Sequence, residues 1–239
     1  MIIAQIKNVL RRFLPKERYV QIDDDLLTRF VAISLAPDAT FVEIGTFTGA
    51  GGRQFCDLAH LSPNNCHLVE ACPDNFEILK KNSPGYRVYN LALADRCGTL
   101  PFYVVNNPKD EGTSRSNSFD KAHLKKRWGK ENVKEIQIRT VDMKTFIQEN
   151  CITRIDYLFF NCEGAEYAIL NGDLSFLDKV QFFHLDLHHR VADGHKAEQL
   201  RLYDLMVKLG FVHIGGHKRT DIPVVNNHLT FLWEKASSK

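Results

Sequence analysis

The sequence predicts an α/β fold: a mostly parallel sheet with helices on both faces and an antiparallel pair of strands at the C-terminal end. Three observations carry that expectation. Short apolar runs such as "TFVEIG", "CHLVEA" and "VQFFHLDLH" read as strands buried on both faces. Segments of helical periodicity separate most of them, so successive strands lie parallel with a crossover between them. The last two, "FVHIGGH" and "HLTFLWEK", leave no room for a crossover helix and must pair antiparallel.

Taken in order, Ile2, Ile6, Val9 and Phe13 recur at helical spacing opposite Lys7, Arg11 and Arg12, and Pro15 closes the segment. An amphipathic helix packed on its own domain is expected there, with an anionic membrane surface as the sharper alternative. A second helix is expected over 23–35, with Leu26, Leu27, Phe30 and Val31 as its stripe. Residues 1–38 therefore form an N-terminal helical extension, and 39–239 the main domain. The main domain begins with "TFVEIG", a helix over 51–61, "CHLVEA", and a helix over 73–82 with proline in its first turn. "YRVYNLAL" follows as a strand. "TLPFYVV" is an edge strand, because Pro101 has no N–H to donate to a ladder.

Residues 106–135 are polar and irregular, with one short helix over 122–128, and are expected to form a lid-like insertion. Arg115, Lys121, Lys125, Lys126, Arg127 and Trp128 there suit an anionic or sugar-bearing substrate, or equally a solvated helix face. The chain continues with the strand "KEIQIRTV", a helix over 142–150, and "IDYLFF" with a helical pattern resuming at Tyr167. "VQFFHLDLH" and a periodic helix over 195–209 complete it before the terminal pair.

Composition removes several function classes. A chain of 239 residues with 44% hydrophobic content buries a full core, and a formal net charge of +2 gives no field for nucleic acid. The six cysteines contain no C-x-x-C pair, which suits a reducing, cytoplasmic setting without a disulfide framework. No apolar run reaches the roughly 18–20 residues of a membrane span. Lys7 interrupts any secretory signal core.

Ligands of open parallel sheets sit beyond the carboxyl ends of the strands, near the point where strand order reverses. The first strand runs "FVEIGTFTGAGG", placing Glu43 ahead of Gly45, Gly49, Gly51 and Gly52. This spacing is neither the dinucleotide fingerprint nor the phosphate-binding P-loop. The second strand ends in Glu70, where an acid accepts hydrogen bonds from both hydroxyls of a ribose. Asp95, in "LALADRCG", is a candidate for an adenine edge or simply a turn former before Gly98.

The runs "FVEIGTFTG", "HLVEACPDNFEILKKN", "VYNLALADRCGTLPFYV", "RTVDMKTFIQEN" and "IDYLFFNCEGAEYAILNG" resemble, in order and spacing, the FkbM family of S-adenosylmethionine-dependent methyltransferases. The resemblance covers about residues 40–188. It implies a class I, Rossmann-like methyltransferase fold and O-methylation of sugars and related hydroxylated metabolites. It also implies that Glu43, Gly45 and Gly49 meet the methionine part of S-adenosylmethionine and Glu70 its ribose. Asn161, Glu163 and Glu166 are then placed beside the methyl group. This sequence departs from the family pattern at Phe47, commonly asparagine, and at Phe159, Phe160 and Asn161, commonly Lys-Ile-Asp.

Methyl transfer to a hydroxyl needs an oxygen held in line with the methyl carbon and a base to take its proton. Period-two alternation puts His184, Asp186 and His188 on one strand face, and an acid, one residue and a histidine match the family's ending of that strand. His188 is the expected base, Asp186 the group that orients its ring, and Glu163 a neighbouring carboxylate. Glu163 and Glu166 also fit a plainer role as acids complementing a helix N-terminus. No metal site is part of the expectation, although His and carboxylate groups on one face leave a divalent ion open. His195, His213 and His217 are more distant candidates for the same cluster. Three alternatives remain: a metal-dependent O-methyltransferase, a cofactor-binding protein weakened by Asn161, and, on fold alone, an NAD-linked enzyme.

Overall fold

A computed structural model describes residues 24–106, 116–188, 195–216 and 226–233. The expected helix before Pro15, together with Arg115, His189 and His217, lies outside the described residues. The first described element is helix α1 (Asp24–Ser34), which buries Leu27 and, one helical turn on, Val31 with its neighbour Ala32. Strand β1 (Phe41–Ile44), helix α2 (Ala50–Leu58), strand β2 (Cys66–Glu70) and helix α3 (Pro73–Asn82) follow, and then strand β3 (Arg87–Asn90). All of β1 and β2 is buried, as expected of strands covered on both faces.

The second half supplies strand β4 (Ala92–Leu93), strand β5 (Gly98–Val105), helix α4 (Lys121–Trp128), strand β6 (Val133–Val141) and helix α5 (Met143–Glu149). It continues with strand β7 (Ile155–Phe160), helix α6 (Ala165–Asn171), strand β8 (Val180–His188), helix α7 (His195–Lys208), strand β9 (Phe211–Gly216) and strand β10 (Asn226–Trp233). The main sheet runs β3-β2-β1-β7-β8-β10-β9. Only β10 is antiparallel to its neighbours, β8 and β9. This is the terminal pair the sequence predicted, with β10 inserted between β8 and β9. Chain order reverses at β1 and β7, which pair directly.

Adjacent residues of one strand feed opposite faces. Phe182 and Phe183 are both fully buried, Phe182 with Phe41, Phe55 and Leu79 on the α1–α3 side. Phe183 packs with Phe146, Ile169, Phe176 and Phe231 on the α5–α7 side. That double burial is why the strand reads as a continuous apolar run rather than an alternating one.

One expected strand divides. In "YRVYNLAL", β3 pairs with β2, whereas β4 pairs with β6 in a separate sheet of order β4-β6-β5. The Asn90 amide donates to the carbonyls of Glu70 and Ala71 at 3.0 and 3.2 Å, closing the ladder where the chain changes sheet. Strand β5 is the edge of that small sheet, and Pro101 stands opposite Gln137 on it. The described part of the polar insertion packs against the same sheet. Leu124 of α4 is buried beside Tyr103 and Val105, and Ser118 bridges Tyr103.

Gly45 lets the ends of β1 and β7 meet. Its φ is +85°, and a Cβ on it would overlap the carbonyl oxygen of Asn161. Gly51, in α2, has only ordinary contact with Glu43. Gly45→Ala is therefore expected to destabilise the protein by ~2 kcal/mol or more in urea unfolding. Gly51→Ala should be neutral or stabilising by up to ~1 kcal/mol.

Candidate functional site

The carboxyl ends of β1, β2 and β7 open on a cavity of about 280 Å³ at the point where strand order reverses. Glu43, Gly45, Glu70, Asn161 and Glu163 line it, which brings together five of the residues singled out from the sequence. Gly49 stands behind the lining at the start of α2, with φ +77° and its N–H donated to the Thr46 carbonyl. Asp95 lies outside the lining, with its side chain 45% exposed and 4.0 Å from Arg96. The wall on the β4 side is formed instead by Leu91, Ala92, Leu93 and Phe102, with Asn117 and Phe119 of the insertion. Phe102 and Phe119 meet edge to face at 5.2 Å.

Glu70 ties the two strand-end turns together. One oxygen accepts the Phe47 N–H at 2.9 Å, and the other accepts the Cys72 N–H at 2.8 Å and the Asn75 amide at 3.3 Å. Phe47 adopts φ +56°, a left-handed conformation that asparagine tolerates better than phenylalanine. Glu43 accepts the Thr46 hydroxyl at 2.7 Å beneath Gly52, where a Cβ would collide with its carboxylate.

Burial pushes the Glu43 carboxyl up to about 7, partly offset by the Thr46 hydrogen bond. Burial also drives Glu70 up to about 7 against its three hydrogen bonds, with the Glu43 charge adding to the rise. The described lining holds three carboxylates and neither lysine nor arginine. Such a lining fits a cationic sulfonium and repels a pyrophosphate, so the residues present fit S-adenosylmethionine better than a dinucleotide.

Next to the cavity, Glu163 reaches a second cluster. The His188 Nε2 lies 3.5 Å from Glu163 and 3.6 Å from Asp186, and Nδ1 lies 3.1 Å from Glu166. The expected trio of His188, Glu163 and Asp186 is thus assembled. The closest ring contact is to Glu166, with Asp186 farther from the other ring nitrogen. Glu166 is fully buried and accepts the N–H groups of Cys162 and Gly164 at 2.6 and 2.7 Å. Its sequence signal was weak, because an acid in the first turn of a helix usually serves the dipole.

Burial works against a charge on His188, but the hydrogen bond and charge of Glu166, together with Asp186, outweigh it and lift its pKa above 6.5. Glu163 has φ +55°, and its carbonyl accepts the Ser118 hydroxyl at 2.8 Å, a link to the insertion that the sequence did not reveal. His184 does not join the cluster, since it meets the Thr230 hydroxyl at 2.9 Å and the Phe159 ring. His213 packs against Tyr203 and Phe231. Among the described residues no three His, Cys, Asp or Glu side chains converge in a metal-binding group, and no helix is long and apolar enough to cross a membrane.

A model described as the methyltransferase FkbM domain matches residues 44–212. The 2-O-methyltransferase NoeI of Sinorhizobium fredii (strain NBRC 101917 / NGR234) is 23% identical over 166 residues, covering 66% of this chain and 67% of that protein. The crystal structure of a methyltransferase FkbM from Methylobacillus flagellatus KT superposes with a TM-score of 0.53 at 11% identity. It covers 83% of this chain, and this chain spans 44% of that one. The structural likeness bears on the fold alone.

Cation binding should draw protons off Glu43 and Glu70, whose raised pKa values keep them partly protonated near neutrality. S-adenosylmethionine is expected to bind more tightly as pH rises from 5.5 to 7.0, by up to about tenfold per unit for each proton released. Calorimetry in two buffers of different ionisation enthalpy would detect the release. A pH-independent affinity would mean that binding leaves the protonation of both groups unchanged.

Proposed function

The chain belongs to the FkbM family of S-adenosylmethionine-dependent methyltransferases, and we propose that it methylates a hydroxyl of a saccharide or glycosylated metabolite. The observation that carries this reading is the position of His188 and its carboxylates immediately beyond Glu163, at the edge of the carboxylate-lined cavity. Oxygen as the methyl acceptor is supported by the 2-O-methyltransferase named above.

S-adenosylmethionine, when bound, supplies an electrophilic methyl group on a sulfonium. Glu43, Gly45, Gly49, Glu70 and Asn161 are assigned to holding it. Glu70 and the Phe47 turn would hold the ribose side, and Glu43 with Gly45 the methionine side. The Asp95 carboxylate retains at most a peripheral part in adenine binding, a role that the apolar wall of Leu91, Leu93 and Phe102 is better placed to fill.

On the acceptor side, His188 Nε2 takes the hydroxyl proton as oxygen attacks. The imidazolium that forms has the Glu163 and Asp186 carboxylates 3.5 and 3.6 Å from Nε2, which stabilise its charge. Positioning of the oxygen against the methyl group contributes up to ~7–11 kcal/mol and the base ~10²- to 10⁴-fold in rate. Residues 106–135 are assigned the part of a lid through the Ser118–Glu163 bond. We place the reaction in the cytoplasm, where the six cysteines would remain thiols.

The test is transfer of labelled methyl from S-adenosylmethionine to a panel of mono- and oligosaccharides, with product regiochemistry read by NMR. His188→Ala should lower kcat by ~10²- to 10⁴-fold. Its cofactor affinity should remain within about threefold, because the imidazole lies outside the cavity lining. In the wild type kcat should rise with pH along a limb displaced above 6.5, since the ring must be neutral to accept a proton. Cofactor binding without transfer to any hydroxylated acceptor would favour a binding protein instead, and loss of activity with a chelator would favour metal assistance.

A further inference from the structure

We propose that Glu166 is the positioning residue of this site, a single buried carboxylate that fixes the tautomer of His188 and also holds the turn presenting Glu163. The inference rests on the reading of His188 as the base. It starts from a count of donors. One Glu166 oxygen accepts both the Cys162 N–H at 2.6 Å and His188 Nδ1 at 3.1 Å, and the other accepts the Gly164 N–H at 2.7 Å. The side chain is fully buried, so no water competes for these bonds.

The consequence for the ring is chemical. An ionised carboxylate only accepts hydrogen bonds, so Nδ1 must carry the proton and the Nε2 lone pair is left to receive one from the acceptor. Nε2 is the nitrogen that faces Glu163 and Asp186. The charged groups around the ring are Glu163 from the β7–α6 turn, Glu166 from the first turn of α6 and Asp186 from β8. The two main-chain N–H groups that Glu166 accepts flank Glu163, whose φ of +55° is unusual for a residue with a side chain. Removing the carboxylate would release this turn and the ring together.

Glu166→Gln tests the idea because an amide cannot reproduce the pattern. With its oxygen toward Cys162 and His188, its NH₂ opposes the Gly164 N–H. Turned round, the NH₂ opposes the Cys162 N–H and donates to Nδ1, which moves the ring proton to Nε2 and silences the base.

The decisive readout is ¹⁵N NMR of the His188 ring above its titration. The wild type should show a protonated Nδ1 and an unprotonated Nε2. Glu166→Gln should populate the Nε2-protonated tautomer through the turned orientation of its amide, with the ring titrating at lower pH. Its kcat should fall by about 100-fold or more at saturating S-adenosylmethionine, beyond any loss of cofactor affinity that release of the turn brings. A wild-type ring with its proton on Nε2 would overturn the proposal even if the variant failed to fold. So would a folded variant that kept the wild-type tautomer and kcat and lost only stability. If the wild type methylated no hydroxyl, the functional reading would fall, and the tautomer measurement would still decide the role of Glu166.

Discussion

Two buried carboxylates hold the strand-end turns by accepting main-chain N–H groups, and the geometry of the site depends on that arrangement. Glu70 clamps the turn after β1 through the Phe47 N–H and the turn after β2 through the Cys72 N–H. Glu166 clamps the turn after β7 through Cys162 and Gly164. Each clamp encloses a residue with a side chain in the left-handed region, Phe47 in one and Glu163 in the other. Such conformations cost of order 1–3 kcal/mol each and persist where surrounding bonds determine them. Hydrogen bonds from main-chain donors to these buried carboxyl oxygens supply that determination here.

The same acids set the chemical character of the two compartments. In the cavity, the carboxyl groups of Glu43, Glu70 and Glu163 give a lining that suits positive charge, and the absence of arginine and lysine from its described residues disfavours phosphates. Beyond Glu163 the acids gather around an imidazole, raising its affinity for a proton at the place where a hydroxyl would surrender one. Glu163 belongs to both compartments, lining the first and facing the ring in the second. Its link to Ser118 gives the polar insertion a mechanical connection to the same residue.

What the sequence revealed and what it concealed follow from the range of the interactions involved. The strands were legible because double burial leaves continuous apolar runs, as at Phe182 and Phe183. The glycine turn, Glu43, Glu70 and the His188 strand end were legible because residue type and strand position together imply a role. The split between β3 and β4 was not, since it depends on Asn90 reaching across to another strand. That the His188 ring lies nearer Glu166 than Asp186 depends on the rotation of one ring, which no spacing encodes. Asp95 was misleading because it follows a strand that joins the second sheet and turns its carboxylate outward.

The central claim is that the carboxylate-lined cavity is built for a sulfonium cofactor, and it is tested most directly by calorimetric titration of S-adenosylmethionine and NADH in parallel, on the wild type and on Glu70→Ala. The account predicts S-adenosylmethionine binding in the wild type, at least about tenfold weakening in the variant as a buried hydrogen-bonded charge is lost, and no binding of NADH. Binding of NADH with none of S-adenosylmethionine would contradict it and leave only the parallel-sheet fold in place.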